Sequence, residues 1–147
     1  RVLSTILAGG MSSRLFSEIR EKRNLAYAVK GDSDINKDFA FNYIYVGTMP
    51  ENVEKVKEII INELKEVSKN LTEEELKQAK EQIIGNHKIS IEDSQSQMVN
   101  LLYAEFNAKA ELFYDFEKNI SKVKLKDVKD LAETAFGKYS FFALVPE

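Results

Sequence analysis

The sequence predicts an α+β fold, a largely antiparallel sheet with helices packed on one face. Strand-like and helix-like stretches are segregated along the chain instead of alternating, which disfavours a parallel sheet with crossover helices. Leu25–Ile35 and Phe39–Thr48 are adjacent runs separated by the turn residues Asn36, Lys37 and Asp38, the pattern of a hairpin. Beyond them, apolar residues recur at helical spacing over most of the remaining chain.

The elements follow in order. Val2–Ala8 reads as the end of a helix that Gly9-Gly10 stops. Ser12 or Ser13 then caps a new helix, with Met11, Leu15 and Ile19 as its inward stripe and Arg23 near its end. Asn24 is the expected stop. In the second strand Phe39, Phe41, Tyr43 and Tyr45 fall on one face, because side chains alternate across a sheet. Pro50 opens a long helix with Val53, Val56, Ile60, Leu64 and Val67 on one stripe. Thr72-Glu73-Glu74-Glu75 is a capping box, opening a helix lined by Leu76, Ala79, Ile83 and His87. Further helices are expected over Glu92–Asn107, Leu112–Ile120 and Leu125–Phe136, and a last strand over Tyr139–Val145.

Length and composition bound the possibilities. Residues 1–147 suffice for a single domain with a sizeable core. The chain begins with Arg1 inside an apparent helix, so it is expected to be a fragment of a longer two-domain chain. A formal net charge of −3 gives no basic face for nucleic acid. No apolar run approaches the ~20 residues of a membrane span, and no secretory signal is evident. The absence of cysteine excludes disulfides and thiolate metal sites. A cytoplasmic location is expected.

Candidate chemistry is sparse. His87 is the single histidine, and with no cysteine it cannot assemble the usual zinc ligands, so a packed or surface role is the better account. Gly9–Ser13 before a helix could hold an anion, but a helix precedes it where a phosphate loop needs a strand. Glu73–Glu75 and Glu92-Asp93 fall at helix starts, where the helix dipole explains acidic residues. The serines have no evident base partner. Of 21 lysines and arginines only four are arginine, and three of these, Arg14, Arg20 and Arg23, lie between Gly9 and Val29. Arg20 and Tyr27 would come to one edge of the domain through a short turn. A planar fork and a phenol together can hold a peptide carbonyl or stabilise an oxyanion. On physics alone, dipole complementation by Arg20 and packing of Tyr27 account for the pair more simply.

The run GGMSSRLFSEIREKRNLAYAV resembles the segment GGxxSRLFxxxREKxGLxYxV of the insulinase/pitrilysin superfamily of zinc metallopeptidases, most closely its processing-peptidase-like members. YVGTMPENVEKV, LTEEELKQAKEQIIGN and SIEDSQSQM extend the resemblance over nearly the whole chain. Asn24 departs from the usual glycine but tolerates the same left-handed backbone. The resemblance implies a C-terminal, zinc-free domain, starting after its first strand, that closes over a peptide or unfolded polypeptide substrate. It places the superfamily's arginine–tyrosine pair on Arg20 and Tyr27, as catalytic and substrate-binding residues, and gives Arg14 a structural role. It implies no metal ligand in this chain, with zinc held by an N-terminal domain or partner subunit and a dimer in the full-length form. The chain alone is expected to be inactive. The alternative is a catalytically inactive homologue that serves as an assembly or partner subunit.

Overall fold

A computed structural model describes residues 1–146. Helix α1, Val2–Ala8, is at the centre of the core, with Val2, Leu3, Ile6, Leu7 and Ala8 all buried. Gly9 ends it, and Gly10 follows at φ +149°, a backbone that residues with a Cβ rarely adopt. Strands β1, Ala26–Ile35, and β2, Ala40–Thr48, pair as the expected antiparallel hairpin. Helices α2, Val53–Asn70, and α3, Glu73–Ser90, are the two long ones. They are followed by α4, Ser94–Asn107, α5, Phe116–Lys122, and α6, Leu125–Gly137.

The hairpin has an inner and an outer face. Val29, Gly31 and Ser33 of β1 stand opposite Val46, Ile44 and Asn42 of β2. On this inner face Ile44 and Val46 pack against the core. Helix α1 sits on it closely enough that a Cβ at Gly31 would come within 2.8 Å of the Ala8 Cβ. Ser4 fastens the contact, its hydroxyl lying 2.9 Å from Asn42 Oδ1 and 3.0 Å from Ser33 Oγ. Phe39, Phe41, Tyr43 and Tyr45 occupy the outer face and are exposed, with the Phe39 and Phe41 rings stacked at 6.2 Å.

The helical stripe of α2 turns Val56, Leu64 and Val67 into the core, and α6 runs beside it through Val128 and Ala132. The capping box forms as expected: the Glu75 N–H donates to Thr72 Oγ1 at 3.2 Å, and the Thr72 N–H donates to Glu75 Oε2 at 3.0 Å. The α+β class with helices on the inner face therefore holds.

Four expectations are corrected. Tyr139–Val145 is not a strand; it forms no ladder with either described strand, and a strand without a hydrogen-bonding neighbour has no lattice to hold it. Met11 is not on an inward stripe but 77% exposed, because helical winding starts only at Arg14. Ser13 does not cap by accepting an N–H; its hydroxyl donates back to the Gly10 carbonyl at 2.6 Å. The single helix expected over Leu112–Ile120 divides into a 3-10 turn, Ala110–Asp115, and α5.

Candidate functional site

The turn between Gly10 and β1 is wound as a π helix over Phe16–Glu21. Its signature is the Lys22 N–H donating five residues back to the Ser17 carbonyl at 2.9 Å. The helix is anchored by Leu15 and Ile19, both fully buried. Asn24 then takes φ +50°, the left-handed conformation that asparagine tolerates better than most residues, and the chain reverses into β1. The Leu25 carbonyl accepts the Thr48 hydroxyl at 2.6 Å, which ties the corner to β2.

At the start of β1 the pairing shifts. Ala26 faces Thr48 but Ala28 already faces Gly47, so Tyr27 is the extra residue of a β-bulge. Bulges re-aim side chains and recur beside functional sites. Tyr27 is 83% exposed, so it does not pack as an ordinary strand tyrosine would.

Arg20 and Tyr27 do come together. The Arg20 guanidinium carbon lies 4.8 Å from the centre of the Tyr27 ring and 4.9 Å from that of Phe16. The cation thus lies over two aromatic rings, an attraction of roughly 0.5–1 kcal/mol for each exposed contact. Among the described residues Arg20 has no carboxylate within ion-pair distance and makes no side-chain hydrogen bond, and the Tyr27 hydroxyl likewise has no partner.

The neighbouring arginines differ. Arg14 donates to Glu75 Oε1 at 2.7 Å and lies 3.5 Å from Glu63, joining the turn of helix just before the π segment to α2 and α3. Arg23 pairs with the Glu18 carboxylate and donates to the Glu18 carbonyl at 2.8 Å. Burial pulls the Arg14 guanidinium down, but the Glu75 and Glu63 carboxylates outweigh it and raise its pKa. Burial likewise pushes Glu75 up, yet hydrogen bonds from Arg14 and Thr72 hold its carboxyl below the ordinary value. Glu63, at the longer distance, stays above it because burial prevails.

The other candidates resolve as structural. The His87 ring stacks on Phe116 at 4.1 Å and meets the edge of Phe113 at 5.5 Å, and burial lowers its pKa. Near Gly10 the Gly9 carbonyl is occupied by Gln82 Nε2 at 2.7 Å, which fastens the turn to α3. The Asp93 carboxylate accepts the Ser96 N–H at 2.8 Å as a helix cap. The residues do not fit a zinc centre: no group of three or more His, Cys, Asp or Glu among the described residues could hold a metal ion. No helix among them is long and apolar enough to cross a membrane.

Sequence reading did not single out Phe16. The available signal was its place four residues before Arg20, a spacing that puts two side chains on the same side of a helix.

Comparison with known proteins bears on the family and the fold. The family model described as the peptidase M16 inactive domain matches residues 1–83. A protein of Streptomyces coelicolor named as an uncharacterized zinc protease is 34% identical over 139 residues, covering 93% of this chain and 30% of the relative. One so named in Bacillus subtilis is 32% identical over 152 residues, covering 98% of this chain and 36% of the relative. Among solved structures, the peptidase M16 inactive domain from Pseudomonas fluorescens superposes with a TM-score of 0.73 at 28% identity, covering 90% of this chain and 32% of that one. The chain spans about a third of the length of the curated relatives it matches. The agreement of family model, relatives and fold places the chain in the M16, or insulinase/pitrilysin, family of zinc metallopeptidases, as the C-terminal domain whose model is termed inactive.

Proposed function

We propose that this domain supplies Arg20 and Tyr27 to peptide-bond hydrolysis at a zinc centre held by an N-terminal domain or a partner subunit. In this reading the domain closes over a peptide or unfolded polypeptide. The Tyr27 hydroxyl donates a hydrogen bond to the oxygen of the scissile carbonyl as negative charge develops on it. The Arg20 fork donates to substrate main-chain carbonyls and fixes the peptide's register.

One observation carries the reading. Of the arginines in the corner, Arg20 alone has its donors uncommitted among the described residues, beside a tyrosine whose hydroxyl is also uncommitted. A purely structural arginine at a helix end would have its donors engaged, as Arg14 and Arg23 do.

The test is Tyr27→Phe in the full-length protein. Removing one oxyanion donor is expected to lower kcat by about a hundredfold to a thousandfold, with a smaller change in KM. An unchanged kcat removes Tyr27 from the chemistry and favours an assembly role. Metal analysis gives a second check, since stoichiometric zinc in the purified 147-residue chain would contradict a zinc centre located elsewhere.

A further inference from the structure

We infer that Phe16 is a positioning residue for Arg20, fixing the plane of its guanidinium while leaving every N–H donor available. The inference rests on the proposed role of Arg20, and the geometry supplies the rest. A long arginine side chain without an ion-pair partner is free to sample many rotamers, and ordering it on substrate binding is costly. Nature's commonest remedy, a neighbouring carboxylate, would consume the edge donors that a substrate carbonyl needs. An aromatic ring instead covers the face of the guanidinium and leaves its edge unsatisfied.

The two rings on Arg20 are not equivalent. Tyr27 is exposed, stands on a bulge, and has its own hydroxyl to present. Phe16 is half-buried and packed against the core, so it is the fixed wall of the pair. The π-helical winding supports this assignment. It widens the turn, so that residues four apart lie nearly above one another, and it extends over Phe16–Glu21, the segment that holds both Phe16 and Arg20. The winding and the stacking thus coincide in one turn of chain.

The experiment compares Phe16→Leu, which keeps apolar bulk for the core, with Phe16→Tyr, which keeps the ring. In the full-length protein Phe16→Leu is expected to lower kcat/KM about three- to tenfold, and Phe16→Tyr to retain it. In an Arg20→Ala background Phe16→Leu should cost no further activity, because the ring then has no guanidinium to position and leucine keeps its packing against the core. Wild-type activity in Phe16→Leu, or a loss that persists undiminished in the Arg20→Ala background, would overturn the assignment.

A spectroscopic readout separates this claim from the reading beneath it. With the guanidinium lying over two rings, the Arg20 Nε–H proton should resonate upfield of the Arg23 one, and it should move downfield in Phe16→Leu. If Arg20→Ala leaves turnover unchanged, the hydrolytic role fails while the proton shift still decides the positioning. Absence of the upfield shift in the wild-type protein, where folding is not at issue, overturns the positioning by itself.

Discussion

Arg14 and Arg20 lie six residues apart in one short helical corner, and they are held in opposite ways. Arg14 is bound by its edge: Glu75 and Glu63 take its donors and join three helical elements. Arg20 lies over the rings of Phe16 and Tyr27 instead, and its donors stay uncommitted among the described residues. Spending donors makes a brace, and withholding them makes a recognition group. The contrast explains why identical side chains in one motif should respond oppositely to mutation.

The sharpest way to break that comparison is to remove each arginine in turn. Arg14→Ala leaves two partly buried carboxylates without their cation and is expected to destabilise the fold by about 2 kcal/mol. Arg20→Ala breaks no hydrogen bond among the described residues and loses only its contacts with two rings, so it should cost about 1 kcal/mol, less than Arg14→Ala, while losing turnover in the full-length protein. Urea melts of both variants beside kinetics decide it. Equal loss of stability in the two would mean that Arg20 is a second brace.

A smaller effect tests the brace from its other end. Thr72→Ala removes the hydroxyl that caps α3 and also hydrogen-bonds Glu75, the partner of Arg14. A cap of this kind is worth about 1 kcal/mol. Because Thr72 and Arg14 share Glu75, the double variant should cost less than the two single losses added together. Simple additivity would show that the cap and the ion pair are independent.

How far this corner could be read beforehand depended on the range of the forces involved. The Thr72–Glu75 box was legible because both its hydrogen bonds are local, satisfied within four residues. The hairpin was legible for the same reason, its alternation and its turn lying side by side in sequence. The juxtaposition of Arg20 and Tyr27 was also accessible, since only a short reversal at Asn24 separates them. Tyr139–Val145 was misread because strand formation depends on a neighbouring edge that no local pattern supplies. The π winding and the bulge at Tyr27 escaped because each is a one-residue excess in a ladder. Composition is nearly blind to such an insertion, yet it decides where a side chain points. The same limit applied to Arg14, since nothing local foretells partners 49 and 61 positions away, at Glu63 and Glu75.

The finest test separates the two carboxylates that share Arg14. Glu75, with its pKa depressed, contributes stability that is present above the ordinary carboxylate range and is lost as pH falls through its folded value. Glu63, with its pKa raised by burial, does the reverse: its contribution is present at low pH and fades as pH rises through its folded value. Glu63→Gln removes that second, opposing contribution. Relative to wild type, the variant should therefore gain stability as pH rises through and just above the ordinary carboxylate range. The gain should be only a few tenths of a kcal/mol, since the site is partly hydrated. Glu75→Gln should show the opposite trend in a lower window, losing ground against wild type as pH rises from the depressed folded value of Glu75 up to the ordinary carboxylate range. Denaturant melts at stepped pH read both slopes. If the two variants run parallel, Arg14 divides its charge evenly between them, and the closer, hydrogen-bonded approach of Glu75 has no energetic consequence.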